Sequence, residues 1–355
     1  MKFNFLSKNL PAFGLDVSNA TLKIAQFHGN KKESILKGFG EVSLPKGMII
    51  NDAVTDGKTF NFLVKQILQK PQFGKIDTNF VVASLPESKS FVRVIQIPLM
   101  SEKEAENAVP FEAESFIPLP IDQVYLDWQK IGETGDKMNI LMVASPKQFV
   151  DGFLETLERA GLKVVALEVE SQSCHRAVIP QDSKETVLIV DISASRSSLI
   201  MVEEGNLQFT STIPIGGNAF TESIARTMGV SSSKAEEIKR KVGISNTTEY
   251  PNIRTVVLPV LNNLSAEIKN ILKFHNEHSE KQVSSIILAG GSAKLKNLID
   301  FLAPQMQEAG VAKVELANPW QNLPGLKTPQ MESLDSLGYV TAIGLAHRGM
   351  NFDVY

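Results

Sequence analysis

Apolar and polar positions alternate in two short stretches of the chain, and each stretch predicts a meander of three strands. The strands predicted in the first stretch are residues 13–17, 21–28 and 34–43. Those predicted in the second stretch are residues 186–192, 197–203 and 207–213. Turns rich in Ser, Asn and Gly separate the strands, because these residues adopt turn conformations readily. The same local pattern therefore occurs twice.

Helical spacing follows each meander. Apolar residues recur three and four positions apart from Phe60 to Leu68, and Lys70-Pro71 ends this helix, because proline disfavours helix in the residue before it. Ser101 and Glu104 form a capping box. Helices are also predicted over residues 101–116, 146–160, 218–228, 233–241, 251–278, 294–307 and 337–347, and strands over residues 80–84, 91–97, 124–131, 139–144 and 285–289. This alternation predicts an α/β fold.

The two meanders also align residue by residue, which indicates an internal repeat. When Leu15–Asn30 is placed over Val190–Asn206, Asp16 falls on Asp191 and the apolar alternation stays in phase. A single residue in the second turn is the only offset. Each copy is a strand ending in Asp, a small polar loop and two more strands, followed by helix and strand. The repeat predicts two duplicated βββαβα halves.

An aspartate and a loop of small residues at corresponding strand ends indicate a nucleotide site. Backbone N–H groups and short hydroxyls of such loops bind phosphate oxygens. Two carboxylates suit a hydrated Mg²⁺, which keeps several of its waters. The alternative for Asp16 and Asp191 is that each carboxylate only caps the end of its strand. The paired context favours the metal role.

Together these motifs resemble the actin-like ATPase superfamily, which includes actin, MreB and FtsA. Its first phosphate loop has an Asp, small residues and a Lys seven positions later, as in Asp16–Lys23. Its second loop has an Asp followed by small and hydroxyl residues, as in Asp191–Ser198, and its adenosine motif is a strand followed by Gly-Gly, as in Ile286–Ala293. Pro214–Thr221 resembles the Gly-Gly turn of FtsA and MreB, and Ala235–Gly243 resembles their Ala-Glu-x-x-Lys helix.

The resemblance implies an actin-like ATPase fold with two ribonuclease-H-like halves and inserted subdomains, and a site for ATP or ADP with Mg²⁺. It implies nucleotide contacts from Asp16, Ser18, Asn19, Lys23, Asp191, Ser193, Ser195, Gly216, Gly217, Asn218, Glu236, Lys239, Gly290, Gly291 and Ser292, with Asp16 and Asp191 also serving the metal. Lys23 is explained equally well as a surface lysine at a strand edge.

A catalytic candidate follows from the same resemblance. The superfamily has a Glu or Gln near the strand-to-helix passage at Glu170, where it positions the attacking water. Gln172 competes with Glu170 for this role, and the helix macrodipole alone also explains a carboxylate in a first turn. Ser193 and Ser195 stand where the second loop usually has glycines, which accept φ > 0 at lower cost. Nucleotide binding is therefore a firmer expectation than efficient hydrolysis, and any ATPase activity is expected to be weak.

Pro110–Asp127 closely resembles the PilM family of type IV pilus assembly proteins, in which a helix ends in Ile-Pro-x-Pro before an acidic stretch and Leu-Asp. This resemblance extends from about Phe13 to about Arg348. It implies an ATP-binding scaffold of the inner-membrane assembly platform that binds the cytoplasmic N-terminus of PilN, in a groove formed by the first subdomain and the inserted one, around residues 76–127. Nucleotide state is expected to bias this groove. Contacts with other platform and motor proteins are expected too, and self-association is left open.

The duplication and the resemblance together divide the chain into four expected subdomains. The first half comprises residues 1–85 and 335–355, and the inserted partner-binding subdomain residues 86–168. The second half comprises residues 169–213 and 284–334, and a helical subdomain on the adenosine side residues 214–283.

Composition narrows the function classes. The 355 residues include 36 basic and 39 acidic side chains, so no overall field attracts nucleic acid. Cys174 is the single cysteine, which excludes a disulfide framework. No segment reaches the roughly 18 apolar residues that cross a bilayer. The expected location is the cytoplasm, at the inner membrane only through protein partners.

Two other functions remain as alternatives. One is a filament-forming ATPase like FtsA, although residues 346–355 are too short and insufficiently basic for an amphipathic membrane helix. The other is a small-molecule kinase of the same superfamily, for which no segment indicates a substrate pocket. His275 and His278 lie three residues apart on a predicted helix, and a solvated face is favoured there over a metal site.

Overall fold

The computed structural model of the chain describes residues 11–29, 32–326 and 331–350. Asn30 of the aligned repeat lies outside the described residues, and so do parts of the predicted halves, namely residues 1–10, 327–330 and 351–355. The chain divides into two compact units. The first unit comprises Met1–Pro180, Pro319–Glu332 and Tyr339–Tyr355, and the second comprises Gln181–Asn318 and Ser333–Gly338.

The strands and helices of the described residues follow one another in α/β alternation. The strands are β1 (Phe13–Val17), β2 (Thr21–Gly29), β3 (Ser34–Ser43), β4 (Ile49–Ile50), β5 (Ala53–Val54), β6 (Phe73–Gly74), β7 (Phe80–Leu85), β8 (Phe91–Pro98), β9 (Val124–Thr134), β10 (Lys137–Pro146), β11 (Lys163–Val169), β12 (Thr186–Ile192), β13 (Ser197–Glu203), β14 (Asn206–Ile213), β15 (Ser285–Ala289) and β16 (Lys313–Leu316). The helices are α1 (Gly57–Gln69), α2 (Glu102–Ala113), α3 (Lys147–Arg159), α4 (Glu170–Val178), α5 (Gly217–Met228), α6 (Ser232–Val242), α7 (Ile253–His278), α8 (Leu298–Gln307), α9 (Ser333–Ser336) and α10 (Val340–Met350).

The first unit is built on six strands in the order β11-β7-β1-β2-β3-β6. β1, β2 and β3 form the predicted antiparallel meander, and β7 and β11 continue the sheet in parallel with β1. All five residues of β1 are buried, as expected for a strand whose two faces are covered. The carboxyl ends of β1, β7 and β11 therefore meet at one edge of the sheet.

The second unit repeats this arrangement, with strands in the order β16-β15-β12-β13-β14. β12, β13 and β14 form an antiparallel meander, and β15 and β16 run parallel to β12. Asp16 pairs with Lys23 across β1 and β2, and Asp191 pairs with Ser198 across β12 and β13. The predicted duplication is confirmed, with an aspartate at the same register position in each copy.

Between β7 and α3 the first unit carries an added layer of three antiparallel strands in the order β8-β10-β9. Side chains along β10 alternate between its two faces. Ile140 and Met142 join a hydrophobic core with α2, whereas Leu141 and Val143 face a groove on the opposite side.

The added layer has a narrow neck where the chain enters and leaves it. Phe91, the first residue of β8, pairs with Ala144 near the end of β10. The hydroxyl oxygens of Ser90 and Ser145 are 2.9 Å apart and form a hydrogen bond. The two chain crossings are therefore adjacent and tied to each other.

The helix α10 packs closely on the rest of the first unit because glycines remove the side chains at its contacts. A Cβ at Gly344 would overlap the carbonyl oxygen of Ser173 on α4, and a Cβ at Gly14 on β1 would overlap the carbonyl oxygen of Ala342 on α10. The helix can therefore approach both the strand and the neighbouring helix only with glycine at these positions.

Several local predictions can be compared with the observed elements. The capping box of Ser101 and Glu104 is confirmed at the start of α2. α8 begins at Leu298 and not at residue 294, because Lys294 ends a 3₁₀ turn and Asn297 has a left-handed backbone with φ of +66°. The solvated face predicted for the histidines of α7 is wrong for His275, which is buried with its Nε2 2.8 Å from a backbone carbonyl, whereas His278 is exposed. Over the described residues no helix combines the length and the apolar character needed to span a membrane.

Candidate functional site

Asp16 lies at the carboxyl edge of the first unit's sheet. Its side chain is buried, and the hydroxyl of Ser84 on β7 donates a hydrogen bond to Oδ1 at 3.2 Å. Lys23 lies opposite Asp16 on β2, and its Nζ donates to Oγ1 of Thr21 at 2.8 Å. The predicted lysine therefore lies next to the predicted aspartate in the sheet, with its ammonium group bound to the loop.

The two predicted phosphate loops are closed by the same hydrogen bond. The N–H of Ser18 donates to the carbonyl oxygen of Thr21 at 3.0 Å, and the N–H of Ser193 donates to that of Arg196 at 3.0 Å. In each copy the donor follows the aspartate by two positions. These two N–H groups stabilise the loops themselves, and in the first loop the hydroxyl of Ser18 also bonds Thr21. The remaining loop residues are therefore the candidates to face a phosphate. The closed loops also contain the predicted contacts Asn19 and Ser195.

A pair of glutamates lies at the same edge as Asp16. Glu170, the predicted catalytic residue, is the first residue of α4, and its Oε2 accepts the N–H of Glu87 at 3.2 Å. The Oε2 of Glu87 in turn accepts the N–H of Ser171 at 3.0 Å. A carboxylate is favoured at a helix N-terminus. Each glutamate carboxylate therefore accepts an N–H from the other segment. Glu87 is only 3% exposed.

Glu87 and Ser84 had no predicted role in the sequence. Both lie at the end of a buried strand, Ser84 within β7 and Glu87 two residues after it. A polar residue near the carboxyl end of a buried strand is the same signal that identifies Asp16 and Asp191, and it applies to Glu87 as well. Gln172, the competing catalytic candidate, lines the groove described below instead of joining the glutamate pair.

In the second unit, α5 and α6 bring a lysine and a glutamate together. Lys239 Nζ lies 2.7 Å from Glu236 Oε2 and donates at 3.0 Å both to the carbonyl oxygen of Gly217 and to the hydroxyl of Thr221. Thr221 Oγ1 is itself 2.7 Å from Glu236 Oε2. Thr221 ends the Gly-Gly motif but had no predicted contact. The structure assigns it to the same cluster.

Burial and hydrogen bonding shift the pKa values of this cluster. Burial on its own would raise the pKa of Glu236, but hydrogen bonds from Lys239, Thr221 and Arg240 outweigh it and lower that pKa to about 2. Burial lowers the pKa of Lys239, although the neighbouring carboxylate opposes this. Glu236 is therefore ionised at neutral pH and holds the lysine ammonium group in place.

The carbonyl oxygen of Ser193, in the second phosphate loop, accepts hydrogen bonds from two other predicted motifs of the second unit. It accepts the N–H of Gly217 at 2.9 Å and the hydroxyl of Ser292 at 3.2 Å. The next carbonyl, that of Ala194, accepts the N–H of Asn218 at 2.8 Å. The second phosphate loop, the Gly-Gly turn and the adenosine motif are therefore adjacent.

Glycines make this close packing sterically feasible. A Cβ at Gly216 would crowd the backbone of the second loop, and a Cβ at Gly290, where φ is +85°, would overlap the carboxylate of Asp191. At Gly291 a Cβ would meet no atom within 4 Å. The backbone at Gly291 is thus open to a ligand, as an adenosine motif requires.

A groove of about 550 Å³ lies in the first unit, where β9 of the added layer and β11 of the main sheet are each the last strand in their order. Its volume is in the range of ligand sites in proteins. The lining is mixed, with apolar strand residues beside polar and charged ones. The lining residues are Leu85, Tyr125–Gln129, Leu141, Val143, Ser145, Val150, Leu167–Val169, Gln172 and Arg348.

Glu168 is the charged centre of this groove. It is 4% exposed, both of its carboxylate oxygens bind Arg176, and the Nη1 of Arg348 lies 3.3 Å from its Oε1. A buried carboxylate requires such partners, because its desolvation is costly. Burial and the charge of Arg176 also lower the pKa of His347, which stays neutral at pH 7. Two arginines therefore compensate the charge of Glu168, and Arg348 also lines the groove.

The aspartates are the remaining candidates for metal binding. Within the described part of the chain, no group of three or more His, Cys, Asp or Glu is arranged to hold a metal ion. Asp16 belongs to the first unit and Asp191 to the second. One such carboxylate in a unit suits Mg²⁺, which keeps several waters and shares its coordination with substrate phosphates.

Known proteins resemble this chain along most of its length. A family model for the type IV pilus assembly protein PilM matches residues 14–350. The solved PilM-PilN type IV pilus biogenesis complex is similar with a TM-score of 0.81 and 28% identity, covering 97% of this chain and 100% of that chain. MreB5 of Spiroplasma citri bound to AMPPNP is similar with a TM-score of 0.53 and 12% identity, covering 96% of each chain. These likenesses confirm the predicted actin-like ATPase fold.

A curated relative extends the comparison. The cell division protein FtsA of Bacillus subtilis (strain 168) is 23% identical over 339 residues, covering 88% of this chain and 71% of the relative. The chain spans less than two thirds of the length of FtsA proteins from several other bacteria.

Proposed function

The chain belongs to the family of the type IV pilus assembly protein PilM, and we propose that it acts as an ATP-binding scaffold of the pilus assembly platform. In this proposal it binds the cytoplasmic N-terminal segment of PilN at the cytoplasmic face of the inner membrane, so that its partner holds it there. Nucleotide binding and partner binding influence each other.

The observation that carries the proposal is the groove of about 550 Å³ lined by β9 and β11. The solved structure that resembles 97% of this chain is a PilM-PilN complex. An edge strand offers backbone N–H and C=O groups to an extended peptide, while pockets beside it select side chains. Leu141 and Val143 supply apolar surface, and Asp127, Glu168 and Arg348 supply charged groups. A short extended segment of a partner matches this combination.

The nucleotide part of the proposal rests on the residues at the strand ends. We assign the phosphates to the two closed loops that follow Asp16 and Asp191, and the adenosine to the second unit's cluster with Lys239 and the open backbone at Gly291. The two aspartates would hold Mg²⁺, directly or through its waters, and the ion would neutralise phosphate charge when bound.

Glu170 is proposed to orient the attacking water in any hydrolysis that occurs. Its carboxylate already accepts the N–H of Glu87, so its orientation depends on that neighbour. Serines at positions 193 and 195 replace the glycines that are usual in the second loop, so close approach of a phosphate to this backbone is less easy. We therefore propose that ATP binding, with slow turnover at most, is the working state of the scaffold.

The test is calorimetric binding of a synthetic peptide with the N-terminal cytoplasmic sequence of PilN from the same organism. Saturable binding by the wild-type protein is expected, and no detectable binding with or without Mg-ATP would refute the partner assignment. Val143→Lys should weaken binding at least tenfold, because the new charge occupies the apolar face of the groove.

A matched variant separates groove blockage from a general effect of added charge. Ile50→Lys places the same side chain at a position that is 54% exposed in the same unit and outside the groove. Its peptide affinity should equal that of the wild type. An equal loss in both variants would mean that the groove is not the peptide site.

A further inference from the structure

Two neighbouring strand ends of the first unit line the groove and lead directly into the glutamate pair. Leu85 and Val169 are register partners at the ends of the parallel strands β7 and β11, and both line the groove. Glu87 follows Leu85 by two residues, and Glu170 directly follows Val169. The groove wall therefore continues without interruption into the pair of carboxylates.

The hydrogen bonds between these two segments are reciprocal, and the one that Glu87 accepts is buried. Glu87 N–H donates to Glu170, and Ser171 N–H donates to Glu87. Glu87 and Ser171 are both buried. A buried hydrogen bond is costly to break, because water does not replace the lost partner. A displacement of either strand end must therefore be followed by the other or must break these bonds.

The same strand end also reaches Asp16. Ser84, the residue before Leu85, donates its hydroxyl to Asp16 Oδ1 at 3.2 Å. Ser84, Leu85 and Glu87 thus contact, in this order, the proposed metal-binding aspartate, the groove and Glu170. Packed elements of this kind move in discrete steps and transmit them to their contacts.

From this arrangement we propose that Glu87 is a positioning residue that couples the groove to the nucleotide site, because its carboxylate holds Ser171 N–H and so fixes the first turn of α4, which bears Glu170. A segment that fills the groove presses on Leu85 and Val169, and the reciprocal bonds convert this into a changed orientation of Glu170. The inference rests on the proposed function, since it requires both a peptide and a nucleotide to bind. It names the residue through which peptide binding in the groove affects nucleotide binding.

The experiment measures the affinity for Mg-ATP with and without a saturating amount of the PilN N-terminal peptide. The ratio of the two dissociation constants is the coupling factor, which is typically about 5-fold to 150-fold in either direction for coupled sites. The wild type should show a factor of at least about fivefold. Glu87→Ala should bring the factor to within twofold of unity and keep the peptide affinity, because Glu87 does not contact the groove.

Two further variants distinguish positioning from a loss of folding. Glu87→Gln keeps the length and an acceptor oxygen, so it should restore coupling. Glu87→Asp keeps the charge but is too short to hold Ser171 N–H, so it should lose coupling, and it decides the question if the alanine variant does not fold. Glu158→Ala, an exposed glutamate of α3, is the matched control and should couple like the wild type.

The outcomes separate the inference from the function on which it rests. If the wild type binds both ligands and its coupling factor is one, or if Glu87→Ala and Glu87→Asp keep the wild-type factor, the inference is overturned and the proposed function stands. If the wild type binds no peptide or no nucleotide, the proposed function fails and the inference fails with it.

Discussion

Lys239 Nζ lies 2.7 Å from Glu236 Oε2, in an ion pair whose lysine side chain is only 12% exposed. The lysine loses most of its hydration, and burial lowers its pKa. The carboxylate and the hydroxyl of Thr221 replace the lost water. The ammonium group of Lys239 is therefore held at the second unit's proposed nucleotide cluster. Glu236 offsets the desolvation cost of burying this charge.

Glu236→Gln should lower the free energy of unfolding by about 1 kcal/mol, because Lys239 would stay buried without its charged partner. The loss is small because the Glu236 side chain is 33% exposed and water screens the pair. Urea unfolding measures the change. Glu237→Gln is the matched control on the same helix, since it breaks an exposed pair with Lys234. It should leave the unfolding midpoint unchanged, and an equal loss in both variants would contradict the special role of Glu236.

The same carboxylate predicts a pH dependence of stability. The pKa of Glu236 is about 2 in the folded protein and 4.5 for an unperturbed Glu, so the unfolded state binds more protons between these values. Its contribution is fully present above pH 4.5 and is lost as the pH falls from 4.5 towards 2. Unfolding midpoints measured from pH 6 down to pH 3 should fall less steeply in Glu236→Gln than in the wild type. Parallel curves would contradict the lowered pKa.

Asp191→Ala should abolish binding of Mg-ATP, because it removes one of the two carboxylates proposed to hold Mg²⁺. Titration calorimetry gives the affinity, and circular dichroism shows whether the variant is folded. Thr247→Ala, in the same unit but outside the loops, provides a control that should bind like the wild type. Unchanged affinity in Asp191→Ala would remove the aspartate from the site.

Gly344→Ala should destabilise the first unit by about 3 kcal/mol, at the upper end of the cost of overpacking. The added methyl group would overlap the carbonyl oxygen of Ser173, and this backbone atom cannot rotate away. Gly152→Ala in α3 is the opposite case, because a Cβ there meets no atom within 4 Å. It should raise the free energy of unfolding by up to about 1 kcal/mol through helix propensity. Equal melting temperatures for the two variants would contradict the packing of α10.

The duplication can be predicted from the sequence because strand alternation and turn residues act locally. The closed loops after Asp16 and Asp191 follow from the same short-range pattern, and both begin with Ser two positions later. The capping box of α2 is equally local. These features depend only on residues a few positions apart in the chain, so they can be inferred from a single sequence.

The glutamate pair and the groove could not be predicted in the same way. Glu87 and Glu170 are 83 residues apart, and only the parallel pairing of β7 and β11 brings their strand ends together. The groove likewise depends on alternate faces of β10, and a one-residue change of register would turn Leu141 and Val143 into the core. Such contacts are set by tertiary structure, for which propensity and motif carry no signal.

The narrow neck of the added layer has a consequence for how this family can diversify. Phe91 and Ala144 are cross-strand partners, and the hydroxyls of Ser90 and Ser145 are bonded to each other. Because partners across an antiparallel ladder are only about 5 Å apart, a single tight turn could join the two crossings and leave the parallel strands undisturbed. Within the first unit, the chain could therefore lose or replace this layer at a single place, and the strand order β11-β7-β1-β2-β3-β6 would stay the same.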